Sequence, residues 1–96
     1  MDKFFNKAKY IVYWENYAIG ELYKNRNNVY IFYYYDMDKL EDVIKRGFSF
    51  LPEFLNFRTR LNPYMSKDLF LTFLPHFIFD KHDKNDIQLR LEKKDI

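Results

Sequence analysis

The sequence predicts an α+β fold: a small antiparallel β-sheet, arranged as a meander, that packs with two α-helices. Two observations lead to this class. Aromatic-rich runs with strand-like alternation fill the first third of the chain, and a pattern with helical spacing follows them. At 96 residues the chain has room for one domain, residues 1–96. We expect the meander either to stay open or to curl towards a barrel.

Three short runs rich in aromatic and β-branched residues are predicted to be strands. The first spans Lys9–Glu15 and the second spans Ala18–Lys24, with a turn at Asn16 and Tyr17 between them. The third spans Val29–Tyr35 and follows the cluster KNRNN, whose asparagines tolerate left-handed turn conformations. Such short connections are typical of antiparallel neighbours.

The third predicted strand carries bulky side chains on both faces. Alternate residues point to opposite sides, which separates Tyr30, Phe32 and Tyr34 from Ile31, Tyr33 and Tyr35. Because neither set can simply face water, we expect mostly internal packing, with tyrosine hydroxyls reaching the rim. A platform for stacking bases is the less favoured alternative, since the glycine-spaced basic pattern of RNA-recognition motifs is absent.

A helix is predicted from Asp36 to Arg46. Asp36 suits the N-cap position, Lys45 and Arg46 suit the negative end of the helix dipole, and Gly47 favours termination. The apolar face of this helix is predicted to consist of Met37, Leu40, Val43 and Ile44.

The second half of the chain is less regular. Residues 48–54 predict a further extended piece at an edge or strand end, because they contain a proline. A second helix is predicted over Ser66–Leu74, with Ser66 as its cap. Its inward-facing residues are predicted to be Leu69, Phe70 and Phe73. Residues 87–91 alternate like a short strand, although a helix that starts at Asn85 or Asp86 is equally compatible.

Composition and charge exclude several classes of function. Sixteen basic residues against fourteen acidic ones give a net charge of only +2, so we expect no direct nucleic-acid partner. Cysteine is absent, which excludes disulfides and cysteine-based zinc or redox sites. No segment reaches the ~20 apolar residues of a membrane span, and the N-terminus lacks a signal-peptide pattern. We therefore expect a soluble, cytoplasmic protein without membrane contact.

The polar residues form no recognisable catalytic or metal-binding motif. His76 and His82 lie near Asp80 and Asp83, but their spacing matches no recurring zinc pattern. The acids at the start of the predicted helix are explained as caps and dipole partners. We expect a binding protein rather than an enzyme, with no catalytic residues, no cofactor and no metal.

Two stretches of the chain resemble the N-terminal subdomain of HipA-type toxin kinases. The first, YWENYAIGELYKNRNNVYIFYYYD, is similar to the opening strands of that subdomain in Ile19, Gly20, Leu22, Phe32, Tyr35 and Asp36. The second, PYMSKDLFLTFLPHFI, is similar to its Y-x-S-x-x-L-F-x-x-F segment in Tyr64, Ser66, Leu69, Phe70 and Phe73. The two stretches stand in the order of the family and cover the chain from Lys9 to Phe79.

The resemblance implies a regulator rather than a kinase. In full-length family members this subdomain precedes the kinase body, so no catalytic residues carry over. The chain looks like the free-standing form of the subdomain, as in HipS of HipBST-type toxin–antitoxin systems, where a separate HipT carries the kinase. The implied function is binding and regulation, most simply inhibition, of a HipT- or HipA-like serine/threonine kinase.

Aromatic residues and arginines, which are enriched in interface hot spots, coincide in the irregular stretch 55–64. The predicted partner-binding residues are Phe57, Arg58, Arg60 and Tyr64. The alternative is an ordinary surface loop that Phe57 and Leu61 pin to the core. A second function compatible with the sequence is a small phage or mobile-element inhibitor, of the anti-nuclease or anti-CRISPR type. The oligomeric state stays open.

Overall fold

The structure is a computed structural model that describes residues 8–78 and 89–95. The elements of this part of the chain are, in order, β1 (Ala8–Trp14), β2 (Tyr17–Lys24), β3 (Tyr30–Tyr34), α1 (Met37–Lys45), β4 (Tyr64–Ser66), α2 (Pro75–Ile78) and β5 (Leu89–Asp95). The strands form one antiparallel sheet in the order β4-β3-β2-β1-β5. The predicted α+β class is confirmed. The sheet is open, with β4 and β5 at its two edges, and it does not close into a barrel.

The meander β1-β2-β3 forms because compact polar turns join its strands. The first turn is centred on Glu15, whose φ is 55°, one residue before the predicted position. In the second turn, the Oδ1 atom of Asn25 accepts hydrogen bonds from the backbone N–H groups of Asn27 and Val29, at 2.9 and 3.0 Å. This side chain replaces backbone partners that the turn would otherwise lack.

Gly20 lies where β3 leaves no room for a side chain. A Cβ atom at this position would lie 2.2 Å from the carbonyl oxygen of Tyr33 and 3.1 Å from the ring of Phe32. Only glycine permits such a close approach of two strands. The glycine that contributes to the family resemblance therefore has a structural role in the sheet.

The core lies on one face of the sheet. It combines inward residues of β1, β2 and β3 with residues of α1 and of the segments that follow it: Tyr10, Val12, Ile19, Leu22, Phe32, Tyr34, Leu40, Val43, Phe48, Leu51, Phe54, Phe70 and Phe73. Phe32 and Tyr34 belong to this cluster, whereas Ile31 and Tyr33 are buried outside it. The predicted opposite orientations along β3 are confirmed for these residues.

The helix α1 matches its prediction closely. Asp36 occupies the N-cap position, but its side chain makes no capping hydrogen bond. Its backbone carbonyl accepts hydrogen bonds from the backbone N–H groups of Lys39 and Leu40. Gly47 follows the helix with a φ of 110°, a conformation that suits glycine. Leu40 and Val43 are buried as expected. The expectation that Met37 belongs to the apolar face is wrong, since its side chain is exposed.

The predicted helix over Ser66–Leu74 is wrong. Ser66 ends β4 because residues 64–66 pair with β3, and its Oγ atom accepts a hydrogen bond from the N–H of Asp68 at 3.1 Å. The segment after Asp68 forms consecutive tight turns instead, for example from the N–H of Phe73 to the carbonyl of Phe70 at 3.0 Å. The predicted inward orientation of Phe70 and Phe73 is confirmed, because both are buried.

Pro75 begins α2, although the sequence pattern places the end of a helix there. The first position of a helix needs no backbone donor, so proline is favoured at this place. Of the two alternatives for residues 87–91, the strand is confirmed from Leu89 onward in β5. The predictions that involve Asp80, His82, Asp83 and Ile87 lie outside the described residues.

Residues 48–54, predicted to be extended, form an irregular loop that we call the core loop. Phe50 has a φ of 68°, which breaks any strand, and the N–H of Phe54 donates to the carbonyl of Leu51 at 2.8 Å to close a turn. Phe48, Leu51 and Phe54 are all buried. In the described part of the chain, no helix has the length and apolar character required to cross a membrane.

Candidate partner-binding surface

All four predicted partner-binding residues lie on or directly after the segment 55–63, which we call the edge loop. It follows the core loop and leads into β4. The backbone N–H of Tyr34, on β3, donates to the carbonyl of Arg58 at 2.8 Å. The edge loop therefore continues the edge of the sheet beyond the three residues of β4.

A tight turn forms the tip of the edge loop. The N–H of Asn62 donates to the carbonyl of Thr59 at 3.0 Å, which places Arg60 and Leu61 at the two central positions. Both side chains are exposed, and that of Leu61 retains 92% of its accessible surface. We call Arg60 and Leu61 the tip. A leucine this exposed contributes almost nothing to the core of the isolated domain.

Tyr64 is half-buried and has a structural role. Its ring packs edge-on against Phe54, with centroids 4.9 Å apart, and it stacks at 6.5 Å from Phe32. Its hydroxyl donates a hydrogen bond to the carbonyl of Asn56. These contacts hold the start of the edge loop to β4. The Tyr64 side chain therefore stabilises the fold of the isolated domain.

Phe57 and Arg58 occupy intermediate positions. The ring of Phe57 stacks on Tyr34 at 6.1 Å with an interplanar angle of 12°, and 36% of the residue remains accessible. The Arg58 guanidinium lies 4.9 Å from the centre of the Tyr64 ring, a cation–π arrangement. The alternative in which Phe57 pins the loop is therefore supported, whereas Leu61 pins nothing.

Two exposed apolar residues, one at the start of the edge loop and one just after it, were not among the predicted partner-binding residues. Leu55 begins the loop and Met65 lies in β4, and both expose most of their surface. Strand alternation could have identified Met65, because Tyr64 faces the core and its neighbour must face away. No sequence signal predicts that Leu55 is exposed while Leu51 is buried, because the burial of each leucine depends on the path of the backbone.

The outer face of the aromatic strand carries a polar network centred on Glu21. The Tyr33 and Tyr35 hydroxyls donate to the Glu21 carboxylate at 2.6 and 2.9 Å, and the Lys9 ammonium lies 3.3 Å from it. Burial raises the pKa of Glu21, but these donors outweigh it and hold that pKa below its ordinary value of 4.5. Burial and the neighbouring Glu21 raise the pKa of both tyrosines.

Tyr33 is consequently unsuited to stack on a nucleic-acid base, because it is buried and its hydroxyl is paired. Tyr34 is buried on the opposite face, and its hydroxyl lies inside the core loop rather than at the rim. Among the described residues, the edge loop therefore exposes apolar side chains that a partner could cover, whereas Tyr33 and Tyr34 of the aromatic strand are buried.

Comparisons of the chain with protein-family models, with curated proteins and with solved structures found no match. The described residues form an α+β domain with an open antiparallel sheet and an exposed loop along one edge. The resemblance to HipA-type kinases stays a prediction from the residues that carry it.

Proposed function

We propose that the chain is a non-enzymatic regulator that docks through its edge loop on a HipA- or HipT-like serine/threonine kinase and inhibits it in the cytoplasm. The observation that carries this proposal is the tip, where a leucine exposed to 92% stands beside an exposed arginine on a hydrogen-bonded turn. Arginines are enriched among the residues that contribute most to protein binding, and an exposed leucine adds free energy when a partner removes its apolar surface from water.

The positions that carry the family resemblance support a division between fold and recognition. Ile19, Leu22, Phe32 and Phe73 are fully buried, and Gly20 has no space for a side chain. Residues in such places determine the fold and cannot contact a partner. The contacts that select a partner must then come from exposed residues, and the tip, which lies outside both matched stretches, meets this condition.

The geometry also favours steric inhibition. The loop is attached to the sheet through the carbonyl of Arg58 and through the Tyr64 hydroxyl, so little conformational entropy is lost when the tip binds. A rigid domain held against a kinase in this way can occlude substrate access or fix the kinase in an inactive arrangement. Neither effect requires a catalytic residue in this chain.

The proposal is tested by capture of the partner followed by a kinase assay. Tagged chain is used to capture binding proteins from its native host, and the captured kinase is incubated with ATP while the chain is titrated. We expect a HipA- or HipT-like kinase whose autophosphorylation falls as the concentration of the chain rises. The Arg60→Ala variant should shift this titration to higher concentration, because it removes a charged contact at the tip.

Arg26→Ala is the matched control, since Arg26 is an exposed arginine in the turn between β2 and β3. It should inhibit like the parent protein. Capture of a nuclease without a kinase would favour the alternative, a phage or mobile-element inhibitor. A captured kinase whose activity is unaffected by the chain would contradict inhibition.

A further inference from the structure

The strand β5 presents the longest free edge of the sheet. All seven of its residues pair with β1 on one side, and its other side pairs with no strand of the described residues. A free edge of this length is a template on which another strand can add. The opposite edge, β4, has only three residues and continues into the edge loop.

The charge pattern of β5 selects one occupant, a second copy of the same strand. When two copies of a sheet pair edge to edge about a two-fold axis, each residue lies opposite a residue at the same distance on the other side of the axis. With Leu91 on the axis, Arg90 lies opposite Glu92 of the second copy, and Glu92 lies opposite its Arg90. Leu91 meets Leu91, and Leu89 lies beside the stem of Lys93.

The neighbouring positions of the axis are unfavourable. An axis at Glu92 places this carboxylate opposite itself and Arg90 opposite Lys94. An axis at Arg90 or at Lys93 places like charges together at the centre. Directly opposed like charges destabilise a strand pair, whereas opposite charges stabilise it. Leu91 is therefore the register in which every pair of charges across the axis is attractive.

We propose that the protein forms a two-fold symmetric homodimer through antiparallel pairing of β5 with β5, centred on Leu91. The groups required are accessible, since the Arg90 and Glu92 side chains form an ion pair with each other and expose 47% and 52% of their surfaces. The Arg90 guanidinium lies 4.3 Å from the centre of the Tyr13 ring, which holds it on the outer face beside the free edge. In the dimer, the Arg90–Glu92 ion pair within each copy is replaced by an ion pair between Arg90 of one copy and Glu92 of the other.

The same arrangement limits growth to a dimer. Each copy uses its β5 edge in the shared interface, so the edges that remain are the short β4 strands with their edge loops. The two tips then lie at opposite ends of one continuous sheet. This inference does not depend on the identity of any kinase partner.

Complementary charge reversals test the register. We would measure the association state of the full chain by sedimentation velocity over a series of concentrations. The parent should show a concentration-dependent dimer. Arg90→Glu alone and Glu92→Arg alone should each weaken dimerisation by about tenfold or more, because each places like charges opposite each other twice. An equimolar mixture of the two variants should restore the dimer, since the hetero-pair again has opposite charges at both positions.

Arg26→Glu is the control for the change in net charge and should dimerise like the parent; circular dichroism verifies that every variant is folded. Restoration in the mixture cannot result from the intramolecular contact between residues 90 and 92, because each single variant lacks it. A monomeric parent at all concentrations, or a mixture no more dimeric than its components, would overturn the proposal.

Discussion

The core loop and the edge loop are consecutive irregular segments, yet the fold uses them in opposite ways. The core loop buries Phe48, Leu51 and Phe54, while the edge loop exposes Leu61 almost completely. The core loop has three phenylalanines, and the edge loop has one phenylalanine and two arginines, so composition accounts for part of the difference. It does not account for the leucines, since Leu51 is buried and Leu61 is exposed. Their surroundings depend on the part of the sheet that each loop meets.

Tyr34 holds both loops, but with different groups. Its buried hydroxyl accepts a hydrogen bond from the N–H of Leu51 at 3.0 Å and donates one to the carbonyl of Phe54 at 2.7 Å. Its backbone N–H, which points along the sheet, donates to the carbonyl of Arg58 at 2.8 Å. The Tyr34 side chain holds the core loop against the core face of the sheet. The Tyr34 backbone holds the edge loop beside β3, and this contact uses none of the side chains of the edge loop.

The largest effect should come from the core loop. Phe54 is fully buried and packs at 4.5 Å from Phe32 and 5.5 Å from Phe73, measured between ring centres. Replacing it with alanine should lower the free energy of unfolding by about 3–5 kcal/mol, as for other buried aromatic residues. Denaturant titration measures the change. A loss below about 1 kcal/mol would mean that the core loop does not carry the stability assigned to it.

A smaller effect should follow from removing the Tyr34 hydroxyl. Tyr34→Phe leaves a buried N–H and a buried carbonyl of the core loop without this partner, and should cost about 1–3 kcal/mol. Tyr64→Phe is the matched control, because its hydroxyl also bonds a loop carbonyl but does so at an exposed position. Its loss should stay below about 1 kcal/mol, since water can replace the hydroxyl. Equal losses in the two variants would remove the distinction between the loops.

The regular part of this fold could be predicted from sequence, because alternation and capping are local signals. The meander and α1 arise from such signals, and so does the opposite orientation of Phe32 and Tyr33. The predicted helix at Ser66 failed because a cap residue followed by apolar spacing also suits a strand end and a series of turns. Pairing with β3, a contact distant in sequence, decided between them.

The candidate surface was predicted only in part, for a similar reason. Arginine and aromatic types directed the prediction to this segment, but Tyr64 and Phe57 are held by ring contacts that composition does not reveal. Leu61, expected in one interpretation to pin the loop, is the most exposed large hydrophobic residue in the described part of the chain. Whether a loop leucine is buried depends on the path of the backbone, which here depends on Tyr34 and on the turn at Thr59.

The most direct test of the division between the loops is the affinity of Leu61→Ser for the captured kinase, measured by calorimetry beside its unfolding free energy. Leu71→Ser is the matched control, since Leu71 exposes 72% of its surface outside the edge loop. Both variants should change stability by less than about 0.5 kcal/mol. We expect Leu61→Ser to weaken binding by about thirtyfold, roughly 2 kcal/mol, and Leu71→Ser to bind like the parent. Parental affinity for Leu61→Ser, or an equal loss in both variants, would contradict the assignment of the edge loop as the binding surface.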